Sequence, residues 1–184
     1  RSLHIDRAGE RSPTIEFDSG LGSSSLEWVY VKEHLEPLTR VCTFDRAGYG
    51  ASDAGAIPRS SSRIANELFL LLDNAGARRA YVLVGHSFGG LNTALFARRY
   101  RYLTAALVLV DASHPDQVKR FLAPTPFNML TAPSSRYGIV QYRDPPPARV
   151  ALPEAIKREI GRRAAMRRTR RTLGNELLSF RDSA

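Results

Sequence analysis

The sequence is almost without cysteine. Cys42 stands alone among 184 residues, so no internal disulfide can form, which fits a reducing compartment or simply no need for a staple. Its place in an apolar run predicts a buried strand thiol, not a nucleophile. Long apolar runs are also missing. No stretch approaches the ~20 consecutive apolar residues of a membrane-spanning helix, and no basic segment followed by an apolar core opens the chain. The expectation is therefore a soluble, cytoplasmic protein with no membrane span. Methionine does not open the chain, which begins at Arg1; this fits a processed, recombinant or truncated product. Histidine is limited to His4, His34, His86 and His114.

Acidic residues are outnumbered, 18 Asp and Glu against 27 Lys and Arg, and the excess is uneven. Residues 149–184 hold ten basic against four acidic side chains, whereas residues 1–148 hold seventeen against fourteen. A basic tail of this kind suits an anionic surface or nucleic acid. No nucleic-acid motif or aromatic stacking platform accompanies the arginines, however, so a solvated helix face is expected and nucleic acid is not.

What is present fits one sizeable core, with 43% hydrophobic and 24% charged residues. Short β-rich runs alternate with amphipathic segments of helix length, the pattern of a mostly parallel sheet with helices on both faces. Strands are expected at 3–6, 13–17, 41–44, 81–84 and 105–110. The first intervening helix follows Ser23 to Ser25 and runs through Leu26, Trp28, Val29 and Leu35 to a stop near Pro37. The next carries Ile64, Leu68, Leu71 and Leu72 on one face and stops at Gly76. A third leaves residue 89 through Leu91, Leu95 and Phe96. From residue 122 the texture turns irregular and proline-rich, including Pro145-Pro146-Pro147. A last helix starts at Pro153, with Ile156, Ile160, Leu173 and Leu177 as a sparse apolar stripe.

One motif carries chemistry. Gly85-His86-Ser87-Phe88-Gly89 is entered directly by an apolar strand and left directly by a helical pattern, the strand-turn-helix setting of a nucleophile elbow. Ser87 would project at the carboxyl edge of the sheet, where open α/β sheets place their sites. A serine hydroxyl needs a base to accept its proton, and the tetrahedral oxyanion needs preplaced N–H donors. The backbone N–H of Phe88 supplies one donor. The turn Gly20-Leu21-Gly22 follows an early strand and offers the other, with Leu21 preferred and Gly22 next. Asp45 and Arg46 are expected to pair within their own turn and shape the pocket floor.

The order of the glycine turn with Trp28 downstream, Asp45-Arg46-Ala47-Gly48-Tyr49-Gly50-Ala51-Ser52-Asp53, Gly85-His86-Ser87-Phe88-Gly89-Gly90 and Val108-Leu109-Val110-Asp111-Ala112-Ser113-His114-Pro115 resembles the α/β-hydrolase superfamily, in particular its bacterial esterase-like and aminopeptidase-like members. The resemblance covers roughly residues 3–116. It implies an α/β-hydrolase core over 1–116 and the start of a helical cap over 117–184. It also implies a Ser, acid, His triad in that chain order, with Ser87 as nucleophile and Asp111 as the acid, although some members keep the acid after the next strand.

The implied chemistry is hydrolysis of a small-molecule ester, or an amide, through an acyl-enzyme, with no metal or organic cofactor. The family's base lies on a loop after the final strand, and this sequence shows no counterpart. His114 is a poor substitute, three residues from Asp111, and His86 should face away from the Ser87 hydroxyl. The sequence therefore predicts a core lacking its last two strands and its triad base, weak or absent turnover in the 184-residue form, and self-association through an exposed edge at 105–110. The alternative reading is a non-catalytic fragment or interaction module with a basic cap helix.

Overall fold

The computed structural model describes residues 1–114 and 152–179. Four parallel strands, β2 (Thr14–Asp18), β3 (Arg40–Phe44), β4 (Tyr81–His86) and β5 (Thr104–Val110), are joined by β1 (Ile5–Ala8), which runs antiparallel to β3. The order across the sheet is β1-β3-β2-β4-β5. Expected and observed strands agree to within two residues at each end.

Side chains alternate across each strand and so feed two apolar layers. On one face, Phe44, Tyr81 and Leu83 pack with Ala65, Leu68 and Leu72 of α2 (Ser61–Asn74) and Phe96 of α3 (Phe88–Arg99). The four-residue spacing of Ile64, Leu68 and Leu72 puts all three on the buried side of α2. Gly76, at φ 62°, follows the end of that helix. On the other face, Phe17, Val41 and Val84 meet Trp28. Residues 25–35, expected as one helix, form a 3-10 turn (Ser25–Trp28) and then α1 (Val29–Leu35).

The C-terminal segment departs from the expected single helix. Met166 is extended, at φ −63° and ψ 135°, and separates α4 (Glu154–Ala165) from α5 (Arg167–Ser179). In one straight helix the step from Ile160 to Leu173 would rotate the apolar stripe by roughly 220°. The isoleucine and leucine pairs could not then face the same core, and the break resolves the conflict. In α5, Arg167, Arg168 and Arg171 are exposed, the solvated face expected of them, while Thr169, Thr172 to Glu176 and Ser179 are buried. Among the described residues, no helix is long and apolar enough to cross a membrane. The stretch 115–151, including most of the expected cap segment and the proline run, lies outside the described residues.

Among the described residues β5 is an edge strand, and Leu107 to Val110 on it are exposed.

Glu16 has no sequence counterpart in the expected core. It is fully buried on the face of β2 that meets α2 and α3, beside Cys42 and Leu83 in register, and neither carboxyl oxygen has a hydrogen-bond partner among the described residues. Burial, and then Asp18, raise its pKa well above the usual carboxylate value. Burial likewise pushes the Cys42 thiol up to about 12, which leaves it inert as a nucleophile. The folded state thus keeps the Glu16 proton while the unfolded chain releases it above about pH 4.5. Stability should fall by about 1.4 kcal/mol per pH unit from there up to the folded pKa. Urea unfolding at several pH values checks this: Glu16→Leu should remove that slope and be the more stable protein at pH 7, whereas an unaltered slope would contradict it.

Candidate active site

β4 ends at His86 and α3 begins at Phe88, so Ser87 alone makes the turn between them. It does so at φ 50° and ψ −118°, a conformation that L side chains rarely adopt. Such strain persists only where the surroundings over-determine it. A Cβ on Gly85 would stand 2.6 Å from both the Gly89 oxygen and Gly90 Cα, and one on Gly89 would stand 2.3 Å from the Asp18 oxygen. These glycines let the helix start press against β4 and β2. The Ser87 N–H donates to Val110 O at 3.2 Å, and the Ser87 carbonyl accepts from the N–H groups of Gly90 and Ser113, each at 3.0 Å.

The segment after β5 therefore closes directly on the elbow. Asp111 opens it with φ 43°, one residue beyond the strand and exposed, and His114 follows at the same edge, also exposed. The other histidines are engaged elsewhere. The His34 ring meets Tyr30 O at 2.7 Å within α1, and His4 lies just before β1. His86 turns its Nδ1 to the Glu27 carboxylate and its ring edge to Trp28.

The turn after β2 lies beside the serine. A Cβ on Gly20 would stand 3.5 Å from Ser87 Cβ and 3.0 Å from His86 Nδ1. In this turn the Gly20 N–H donates to Glu27 Oε2 at 3.0 Å. Leu21, which follows, packs its side chain against Ile64, Phe88 and Leu91. Phe88 itself is fully buried at the start of α3.

Beneath this turn sits a buried charged cluster. Arg46 Nη1 pairs with Asp18 Oδ1 at 2.6 Å and donates to Ser19 O at 2.5 Å, and Nη2 donates to Gly20 O at 2.8 Å. Its Nε and Nη2 meet Glu176 Oε1 and Oε2 of α5 at 3.1 and 3.3 Å. Tyr49 donates to Glu176 Oε2 at 2.8 Å, and Asn92 Nδ2 donates to Asp18 Oδ2 at 3.0 Å.

Burial works against the Arg46 cation, but Glu176 and Asp18 outweigh it and hold the guanidinium well above its ordinary value. Burial also raises the Asp18 carboxyl, against the pull of Arg46. Burial and then Glu176 keep the Tyr49 phenol protonated, well above its ordinary range, as a donor to a carboxylate must be.

This cluster corrects one expectation. Asp45 and Arg46 do not pair within their turn. Consecutive residues leaving an extended strand project to opposite sides, so Asp45 accepts from the N–H groups of Ser25 and Ala51 at 2.8 and 2.9 Å and from Arg163 Nη1 at 3.3 Å, while Arg46 turns to Asp18 and Glu176. Asp18, Tyr49, Asn92 and Glu176 are the residues that sequence reasoning missed. The one available signal was that Glu176 is the sole carboxylate of a helix rich in arginine.

A cavity of about 400 Å³ opens on the outer side of the glycine turn, between Gly22, Ser24, Glu27 and Tyr49 below and Ile160 and Arg163 of α4 above.

A serine strained into a strand-to-helix turn at the carboxyl edge of a doubly covered parallel sheet defines the elbow class of α/β proteins. The chain belongs to the alpha/beta hydrolase family, whose model matches residues 17–183. It is 32% identical to the Bacillus subtilis protein YqjL over 110 residues, covering 60% of this chain and 44% of that one. It is 28% identical to human epoxide hydrolase 4 over 132 residues, covering 70% and 36%. A Saccharomyces cerevisiae vacuolar membrane protein, YNL115C, is 30% identical over 124 residues, covering 62% and 19%. The chain thus spans less than half the length of these relatives. Among solved structures, a thermophilic esterase from Thermogutta terrifontis superposes with TM-score 0.69 at 20% identity, covering 98% of this chain and 67% of that one. A metagenomic epoxide hydrolase from hot environments superposes with TM-score 0.72 at 18% identity, covering 97% and 65%. At these identities the superpositions speak for the fold alone.

The elbow strain has a measurable consequence. Ser87→Gly relieves it, whereas Ser87→Ala retains it, so the glycine variant should be the more stable of the two by about 1 kcal/mol. Equal denaturation midpoints would contradict the strained geometry.

Proposed function

We propose that this protein is a serine hydrolase that cleaves a carboxylic ester, or an amide, through an acyl-enzyme on Ser87. The observation that carries the reading is the strained placement of Ser87 at the elbow, next to the glycine turn and at the positive end of α3. In the proposed reaction Ser87 Oγ attacks the substrate carbonyl carbon, and the N–H groups of Leu21 and Phe88 take the developing oxyanion. Leu21 fits this role because the N–H before it, that of Gly20, is spent on Glu27. Collapse of the tetrahedral intermediate expels the alcohol or amine, and water then releases the acid. Neither step calls for a metal or an organic cofactor.

Asp111 is the proposed acid of the triad. His4, His34 and His86 are not the base, given where their side chains sit. His114 is only three residues from Asp111, too near in sequence for both to converge on Ser87. The proposed turnover of the 184-residue form is accordingly weak, since loss of one triad member removes several orders of magnitude while binding and oxyanion stabilisation persist. Although several structural neighbours and one relative carry the name epoxide hydrolase, the nucleophile position here holds a serine. Epoxide-opening enzymes of this fold use a carboxylate there, which favours acyl transfer. The cavity beside Gly22 is the proposed seat of the substrate's acyl or alcohol group, and the α4-α5 segment the proposed cap.

A second reading, an interaction module acting through its basic helix, draws on an open cleft of about 860 Å³ lined by Arg59, Arg167, Arg168 and Arg171. Several arginines of this region are already committed: Arg59 to Glu67, Arg163 to Glu159 and Asp45, and Arg168 to Gly50 O. The acyl hydrolase reading is therefore preferred. Initial rates with p-nitrophenyl acetate separate the two. The wild type should exceed Ser87→Ala, slowly but reproducibly, and equal rates would remove the hydrolase assignment.

A further inference from the structure

The glycine turn beside Ser87 is held from α5 by a single carboxylate. The Gly20 carbonyl and the Leu21 N–H belong to one peptide group, and in a planar trans peptide the two point in opposite directions. Arg46 Nη2 binds the Gly20 oxygen at 2.8 Å, and Nη1 binds the Ser19 oxygen at 2.5 Å. The guanidinium thereby fixes the tilt of that peptide and directs the Leu21 N–H away from itself. Beyond Leu21, the residues Gly22 and Tyr49 line the same cavity.

Arg46 in turn ends on Glu176. Its Oε1 and Oε2 receive Arg46 Nε and Nη2, and its Oε2 also receives the Tyr49 hydroxyl. All three side chains are buried, so no solvent molecule screens the cluster and each lost partner leaves a polar group uncompensated. The carboxylate comes from a helix that joins the turn only through tertiary packing. α5 is seated on the loop after β3, where the Thr169 hydroxyl donates to Gly48 O at 3.4 Å and Arg168 donates to Gly50 O.

We propose that Glu176 is a positioning residue for the Ser87 site: held by Tyr49 and acting through Arg46, it sets the peptide group between Gly20 and Leu21, so that the oxyanion-binding turn is in order only when α5 is seated. This rests on the assignment of Leu21 as an oxyanion donor. Glu176 touches no reacting atom. It acts on the transition state by fixing a dipole in advance, the form of help that raises kcat rather than substrate affinity. Seating of α5 and completion of the site are then one event, and a substrate that draws α4 and α5 down onto the core completes its own catalytic turn.

The test uses the 184-residue chain, its variants Glu176→Gln and Tyr49→Phe, and residue-resolved amide hydrogen exchange. The expected result is faster exchange at residues 20–22, by about tenfold or more, in each variant, with protection in β4 and α3 kept within about twofold. The kcat for p-nitrophenyl acetate should fall by about tenfold or more, with KM moving much less. Unchanged exchange at residues 20–22 in folded variants would overturn the proposal. An equal rise across β4, α3 and the turn would also overturn it, since it would mean that Glu176 only stabilises the fold. Should Glu176→Gln fail to fold, Tyr49→Phe decides the matter, because it leaves the Arg46 ion pairs in place and removes the hydroxyl that holds Glu176 Oε2. The exchange readout does not depend on Ser87. Loosened turns combined with equal hydrolysis by wild type and Ser87→Ala would sink the hydrolase reading and leave the coupling of α5 to the turn intact.

Discussion

A guanidinium with 3% of its residue surface left to solvent cannot stay charged without partners that replace its water, and much of the site is arranged around that requirement of Arg46. Its five N–H donors reach two carboxylates and two carbonyls, contributed by the end of β2, the turn that follows it and α5. Asn92 of α3 ties one of those carboxylates to the helix that begins at the elbow. One cation thus draws four elements to a common point. A buried pair of this kind is weak evidence for stability; its clearer effect is to fix which atoms face which.

The second constraint is Ser87 itself. Its unusual backbone angles are sustained by close approach on three sides: Gly89 against the end of β2, Gly85 against the start of α3, and the segment after β5 bonded to the serine carbonyl. The elbow and the glycine turn lie next to each other because β2 and β4 are neighbours in the sheet, in register from Thr14 opposite Tyr81 to Asp18 opposite Gly85. Strand pairing brings Ser87 and the turn together, and Arg46 binds two of the turn's carbonyls.

The sheet was legible in the sequence because parallel strands buried on both faces read as apolar runs, and the elbow because its glycines stand at fixed spacing around Ser87. The helix of Ile64, Leu68 and Leu72 was legible for the same reason of period. Glu176 was barely so, because its partner Arg46 is far off along the chain and its only local mark is to stand as the sole carboxylate among arginines. The Asp45 and Arg46 pairing failed on geometry, since proximity in sequence is not proximity of side chains at a strand end. Glu16 defies the pattern altogether: a strand position between two layers of apolar side chains carries a carboxyl that only protonation makes tolerable. The break at Met166 was hidden because the spacing within each apolar pair was right while the phase between the pairs was not.

The proposed chemistry rests on Ser87 as the residue that reacts. Prolonged reaction with a fluorophosphonate, followed by peptide mapping, tests it directly. The account predicts that Ser87 is modified faster than every other serine in the chain and that the adduct is absent from Ser87→Ala. Label spread evenly over exposed serines, with no preference for Ser87, would contradict it.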